Sequence, residues 1–258
     1  GLDNKTVVLL LAIITGGVAA GIAGVLIGIP VLRLRGDYLA IVTLAFGEII
    51  RNVINCLYIS LDGSKLHVAF NNPNVAGKLL INGPAGATGV SKIATFGMGF
   101  ALVLFTLFVV LNLIDSRSGR AIMAIRDNRI AAEAMGLNVT KYKMMAFVTS
   151  AVLAGMAGAL YGLNFSTVAA SKFKFDTSIL VLVFVVLGGI GNIRGSIISA
   201  TLLTILPELL RAFANYRMLI YAIVLILVML ATNNPTLRSM VERIIPQKRG
   251  NKKEADET

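Results

Sequence analysis

The sequence predicts an all-α integral membrane protein, a polytopic helical bundle with about seven visible spans. Three observations carry this. The 258 residues are 56% hydrophobic and only 14% charged, where a soluble domain carries about a quarter charged residues. Mean hydropathy is +0.81. The apolar residues also fall in runs of roughly 20, the length that crosses a bilayer as a helix.

The spans read in order as residues 6–31, 38–59, 94–114, 142–163, 177–190, 193–210 and 218–232. The fifth is short and ends in glycines. The first, with GGVAAGIAGVLIG, and the fourth, with AGMAGALYG, carry small residues at close spacing. In lipid such faces let helices approach closely; a backbone-lined permeation path is the sharper reading of the same pattern. Residues 1–237 are expected to form the transmembrane domain, with an external loop at 60–93 and a charged cytoplasmic one at 115–143. Residues 238–258 form a charged tail. The first residues, GLDNKTVV, lack a basic stretch and a small-residue cleavage site, so no cleavable signal is expected. Further spans are expected before Gly1.

Charge orients the bundle. Net charge is +11 from 24 basic and 13 acidic residues. With loop 115–143 on the cytoplasmic side, alternating spans place 15 Lys and Arg inside and 8 outside, Arg51 lying within a span. Basic loops mark the cytoplasmic face, so this orientation is favoured and the tail is cytoplasmic. The charge is then topological and predicts no nucleic-acid partner. Single Cys56 and His67 exclude an intrachain disulfide framework, a multi-cysteine metal site and a His-rich relay.

Catalytic motifs are missing. NGPAGATGVSK, 82–92, looks like a phosphate loop, but Gly89 is followed by Val90 and Lys92 comes after Ser91, whereas the nucleotide-binding form places Lys and Ser/Thr directly after its second Gly. The chain is expected to be no enzyme and to bind no cofactor. The glycines of this loop read as turns or as a re-entrant segment.

Two segments carry chemistry. In RGDYLAIVTLAFGEIIRN, Glu48 and Arg51 are three apart inside a span, on one helix face where they pair. Charges in spans face the bundle interior or water. The pair reads either as an ion pair fixing helix orientation or as part of a gate, with Thr43, Phe46 and Gly47 shaping the same region. In SRSGRAIMAIRDNRIAAEAMGLNVTKYK, Ser118 can cap a helix through Ile125, and a second short helix starts near Asp127 or Asn128 and stops at Gly136. Such a segment suits docking into a groove on another protein; a plain solvated loop is the alternative.

The residues of this loop, with others before and after it, resemble a family. Ala131-Ala132 followed by Gly136 is similar to the coupling signature of ABC-importer permeases. RGDYLAIVTLAFGEIIR resembles the hallmark of LivM-type branched-chain amino acid permeases, with Ala45 in place of a usual Gly. VVLGGIGNIRGSIISA resembles their glycine-rich segment, with Ser199 in place of a further Gly. The exit TNNPTLR departs at Asn234 and Thr236, and Asn82-Gly83-Pro84 matches the external loop only approximately. The resemblance runs over residues 30–237.

The resemblance implies a permease subunit in a bacterial or archaeal cytoplasmic membrane that imports branched-chain (Leu/Ile/Val) or related hydrophobic amino acids. It implies a LivH-like second permease, two cytoplasmic ABC ATPases that bind ATP and Mg, and an extracytoplasmic amino-acid-binding protein. Coupling would fall to Arg120, Arg126, Asn128, Ala131, Ala132 and Gly136. The path or gate would involve Thr43, Phe46, Gly47, Glu48, Arg51, Gly188, Gly189 and Gly191. Urea or another small solute carried by the same machinery is the alternative cargo. A stand-alone channel or secondary carrier is the alternative class, though no inverted repeat stands out.

Overall fold

In hydrocarbon every backbone N–H and C=O must be satisfied within the protein, and helices do so segment by segment. The computed structural model describes residues 4–34, 36–62, 65–70, 78–165 and 167–209, with Ala222, Ile223 and Ile226. It divides into two compact units, residues 1–175 and 176–258. The first holds α1 (Asn4–Val31), α2 (Asp37–Cys56), α3 (Phe96–Asp115), α4 (Arg117–Asp127), α5 (Arg129–Ala134) and α6 (Val139–Asn164). Between α2 and α3 lie strands β1 (Leu57–Asp62), β2 (Lys65–Phe70), β3 (Lys78–Asn82) and β4 (Gly86–Thr88); β5 (Thr167–Val168) follows α6. The second unit holds α7 (Phe175–Gly188) and α8 (Ile193–Leu209).

The helical membrane architecture is as predicted, and four of the described helices, α1, α2, α3 and α6, are long and apolar enough to cross a bilayer. α7 has 14 residues and α8 has 17, at about 1.5 Å per residue each less than the ~30 Å hydrocarbon thickness. The predicted span 218–232 and the tail lie almost wholly outside the described residues. Hydroxyls inside the helices are satisfied locally: Thr106 Oγ1 donates to Leu102 O at 2.8 Å and Thr149 Oγ1 to Met145 O at 2.8 Å, the usual arrangement for Thr in a helix.

On α1 most large apolar side chains point outward, and four glycines stand on the inward face. Val18, Ile22 and Leu26 of α1 are exposed, while Leu9, Ile13, Gly17, Gly21, Gly24, Gly28 and Val31 make one buried stripe. That stripe packs on α6, the most extensive helix–helix contact of this unit. A Cβ built at Gly16 would stand 2.8 Å from Ala159 Cβ, one at Gly21 2.8 Å from Val152 Cγ2, and one at Gly28 2.8 Å from Met144 Sδ. Ascending numbers in α1 meet descending numbers in α6, so the two run antiparallel. Lipid gives no hydrophobic drive for helix association; van der Waals contact between closely approaching backbones supplies it.

The segment between α2 and α3 is a folded sheet rather than the loop that its sequence predicts. Its strands form an antiparallel sheet in the order β2-β1-β3-β4-β5. LYIS extends the apolar run of the second span, which is why the predicted span continues into β1. β1 pairs with β2 on one edge, Ser60 opposite His67, and with β3 on the other. β3 and β4 are joined by a single 3-10 turn, Gly83–Ala85, with Gly83 at φ +42° and Gly86 at +69°, so the turn reading of these glycines holds. A Cβ on Gly86 would run into the backbone of Val168, so this position admits only glycine. Pairing of Ala87 with Val168 ties the sheet to the end of α6, and Ile93 N–H donates to Leu163 O at 3.1 Å. The sheet thus sits at the α2 and α6 C-terminal ends, opposite the α3–α6 connection.

The seam between α1 and α6 makes a paired prediction. A Cβ at Gly155 would press on Ala20 and approach Gly16 O to 2.6 Å, whereas one at Gly158 meets nothing within 4 Å. Gly155→Ala should destabilise the protein by about 1–3 kcal/mol, and Gly158→Ala should change it by less than about 0.5 kcal/mol. Denaturant titration in detergent micelles measures both; equal effects would show that the seam is not closely packed.

Candidate functional site

The charged segment between α3 and α6 is a two-helix elbow built by backbone capping. Ser116 Oγ accepts from Gly119 N–H at 3.0 Å and donates to Leu113 O at 2.6 Å. Ser116 therefore caps α4, and the predicted cap, Ser118, lies inside the first turn. Gly119 packs so tightly on the carbonyls of Leu113 and Ile114 that no side chain fits there. Arg120 Nη1 donates to Asp115 O at 3.0 Å, holding α4 against the end of α3.

Asn128 caps α5 as expected, its Oδ1 accepting from Ala131 N–H at 3.0 Å. Gly136 stops α5 at φ +80°. Gly136 N–H donates to Glu133 O and Leu137 N–H to Ala132 O, both at 3.0 Å. These two bonds define a Schellman stop, in which glycine avoids the steric cost of the left-handed conformation. Two residues later Asn138 Oδ1 accepts from Lys141 N–H at 3.0 Å and starts α6. Ala132, 4% exposed, is buried with Ile125 and Val139, and Leu137 and Tyr142 pack against them.

Ala131 and Ala132 thus play different parts: Ala132 anchors the elbow, while Ala131 is exposed. Arg129 and Glu133 pair along α5 at 3.0 Å, and Arg126 pairs with Asp127 at 2.9 Å. Between these charges stand two large apolar side chains that sequence reasoning misses, Ile130 at 80% and Met135 at 83% exposure. Their signal is nonetheless present: two bulky apolar residues in an otherwise charged and alanine-rich stretch.

The second site is on α2. Glu48 lies just past the middle of this 20-residue helix. Its Oε2 accepts from Arg51 Nε at 2.8 Å and Nη2 at 2.6 Å. Side-chain exposures are 36% for Glu48 and 24% for Arg51, and nothing in the apolar window of α2 is buried. Thr43 donates to Ala40 O at 2.8 Å and to Leu39 O at 3.0 Å, and Gly47 faces open space. At about 100° per residue, Phe46 lies roughly 160° around the helix from Glu48. Thr43, Gly47 and Arg51 share a side of α2, and Phe46 and Glu48 fall to either side of it. The end of α2 grips the Gly83–Ala85 turn, where a Cβ on Gly83 would stand 2.8 Å from Asn55 O.

The third predicted cluster, in the second unit, is a tight helix–helix turn. Gly189 and Gly191 take φ values of +90° and +88°. Gly188 and Gly195 approach so closely that a Cβ on either would meet the other's backbone neighbourhood. Asn192 caps α8, its Oδ1 accepting from Gly195 N–H at 3.3 Å. No group of His, Cys, Asp and Glu able to hold a metal occurs among the described residues.

Against known families, residues 2–229 match the model described as branched-chain amino acid transport system, permease component. The chain belongs to this permease family. It is 35% identical over 83% of its length to the high-affinity branched-chain amino acid transport system permease protein LivM of Salmonella typhimurium, covering 54% of that protein. It is 28% identical to a probable LivM of Methanocaldococcus jannaschii, over 79% of the chain and 56% of the relative. With the LivH permease protein of Escherichia coli it shares 32% identity over 59% of the chain and 48% of the relative. The chain spans about half the length of these curated relatives. No solved structure matches. As a family member the chain is a multi-pass membrane protein, and the resemblance carried by its motifs is upheld.

The Glu48–Arg51 pair yields a test independent of transport. Arg51→Leu strands Glu48 in the span, a cost of about 2.5–3.5 kcal/mol on insertion scales, and should sharply lower folded yield. Glu48→Leu combined with Arg51→Leu removes both charges and should restore it, as for other paired charges replaced together. Size-exclusion yield from membranes measures this; no rescue in the double variant would mean the charges do not stabilise one another.

Proposed function

We propose that this chain is a permease subunit of an ABC importer for branched-chain or related hydrophobic amino acids. In this reading it pairs with a LivH-like second permease, accepts solute from an extracytoplasmic binding protein, and is driven by two cytoplasmic ATPases that hold ATP and Mg. The transport roles of its relatives support the cargo class. The observation that carries the coupling is the elbow. It is a rigid, doubly capped protrusion whose tip presents Ile130 and Met135 to solvent.

Bulky apolar side chains exposed beyond the bilayer mark protein contacts rather than lipid contacts. Basic residues cluster on this side, which favours the cytoplasm, where ATPases reside. Asn128 and Gly136 shape the tip, Ala132 roots it on α6, Arg120 ties it to α3, and Ala131 and Arg126 flank it. ATPase closure on nucleotide would then move α6 and, through the α1 seam, the spans. Nucleotide biases the two access states only through different affinity for each. Glu48 and Arg51, with Thr43 and Gly47, supply the lining beside the path on α2, and Phe46 stands on the flank away from Glu48. In the second unit, the turn at Gly188, Gly189 and Gly191 lets α7 and α8 meet closely.

Ile130→Asp and Met135→Asp leave the elbow's core and caps intact. The variants should insert and fold normally yet bind the ATPases at least tenfold more weakly, the loss expected of a central interface anchor. Co-purification measures it; ATPases retained at wild-type stoichiometry would remove the docking role. Glu48→Gln should assemble and hydrolyse ATP while uptake of radiolabelled leucine falls several-fold, and normal uptake would leave the pair purely structural. Calorimetry of the cognate binding protein with leucine, valine and urea fixes the cargo: heat with urea alone would overturn the amino-acid assignment.

A further inference from the structure

The first unit holds a groove of about 600 Å³ at the elbow end of its long helices. Its walls are Leu32 and Leu39, from the end of α1 and the start of α2, Ile122 on α4 and Phe147 on α6. Two cations stand over this apolar floor, Arg126 on α4 and Lys143 on α6. Because α1 and α6 run antiparallel, with Gly28 against Met144 and Phe147, Leu32 and Lys143 lie at one level, at the ends of the two apolar helices.

Lys143 is half-buried and has no ion pair or hydrogen bond among the described residues. Arg126 turns Nε and Nη2 to Asp127 Oδ1, which leaves its Nη1 without a partner among the described residues. The Lys143 ammonium reaches solvent at the groove's mouth, and among the described residues that line the groove there is no carboxylate. Two cations over an apolar floor suit an anion that also carries apolar chain.

We propose that this groove binds an anionic phospholipid. The phosphodiester sits against Lys143 and the free edge of Arg126, and an acyl chain lies along Leu32, Leu39 and Phe147. Basic pockets at helix ends are suited to such headgroups. A soluble phosphate would satisfy the cations but leave the apolar wall wet. A zwitterionic lipid would bring its own cation beside Lys143. Ile130 and Met135 at the elbow tip do not line the groove, which shares only Arg126 with the elbow's flank, and the site does not depend on which solute is carried.

The test uses the purified full chain, delipidated in neutral detergent, with its melting midpoint followed against added phosphatidylglycerol, phosphatidylcholine or inorganic phosphate. Phosphatidylglycerol should raise the midpoint saturably and the other two should not. Lys143→Gln should weaken the half-saturating concentration about fivefold, the effect of one interfacial cation. Lys143→Arg should retain affinity, and Lys141→Gln, an exposed lysine outside the groove, should leave it unchanged. Arg126→Gln, also at an exposed position, should give the same fivefold loss and keeps the test decisive if Lys143→Gln does not accumulate. Equal response to phosphatidylcholine, a full response to phosphate alone, or wild-type affinity in both cation variants would overturn the proposal.

Discussion

Everything in the first unit hangs on the close approach of α1 to α6. Helices in lipid gain nothing by hiding leucines from one another, because the tails are equally apolar. What holds them is contact distance, and contact distance is set by what is absent from their surfaces. At Gly16, Gly17, Gly21, Gly24 and Gly28 the absent group is a Cβ that would collide with α6. The seam also fixes which ends lie together: the start of α6, with the elbow, beside the end of α1, and the end of α6, with β5, on the sheet.

The two ends use different physics because they face water. At one, orphan backbone groups are met by side chains in quick succession: Ser116, Asn128, the Gly136 stop and Asn138. At the other, backbone pairs with backbone across five short strands. Capping makes a compact protrusion and strand pairing makes a tether. The first unit thus has its backbone groups paired at both boundaries, while α2 carries its ion pair on a surface that the described residues leave largely uncovered.

Much of this is legible in the residues. Hydropathy locates the four long helices to within a few residues, since apolar runs of crossing length in a chain so poor in charge seldom form anything else. Asn128 and Gly136 are legible because cap and stop chemistry is local. So is the Glu48–Arg51 pair, fixed by helical spacing alone. The sheet is not legible: its strands are three to six residues in most cases, two in β5, and β5 is supplied from beyond α6, so no local pattern announces the pairing. Ser118 competes with Ser116 for the cap because the chain turns after α3 without a break in helix-forming residues. Ile130 and Met135 escape notice because apolar residues in a short helix read first as core. That Phe46 and Glu48 diverge around α2 follows from the helical angle but is hidden by their nearness in sequence.

The pairing of β4 with β5 has a consequence for the order of events as the chain is made. Thr88 emerges early, but its partner Thr167 arrives only after α3, the elbow and α6 have been synthesised. The α1 glycines wait for that same helix. Long-range partners of this kind close late because the intervening loop entropy must be overcome first. Both the seam and the clasp can therefore shut only once α6 and β5 are in place.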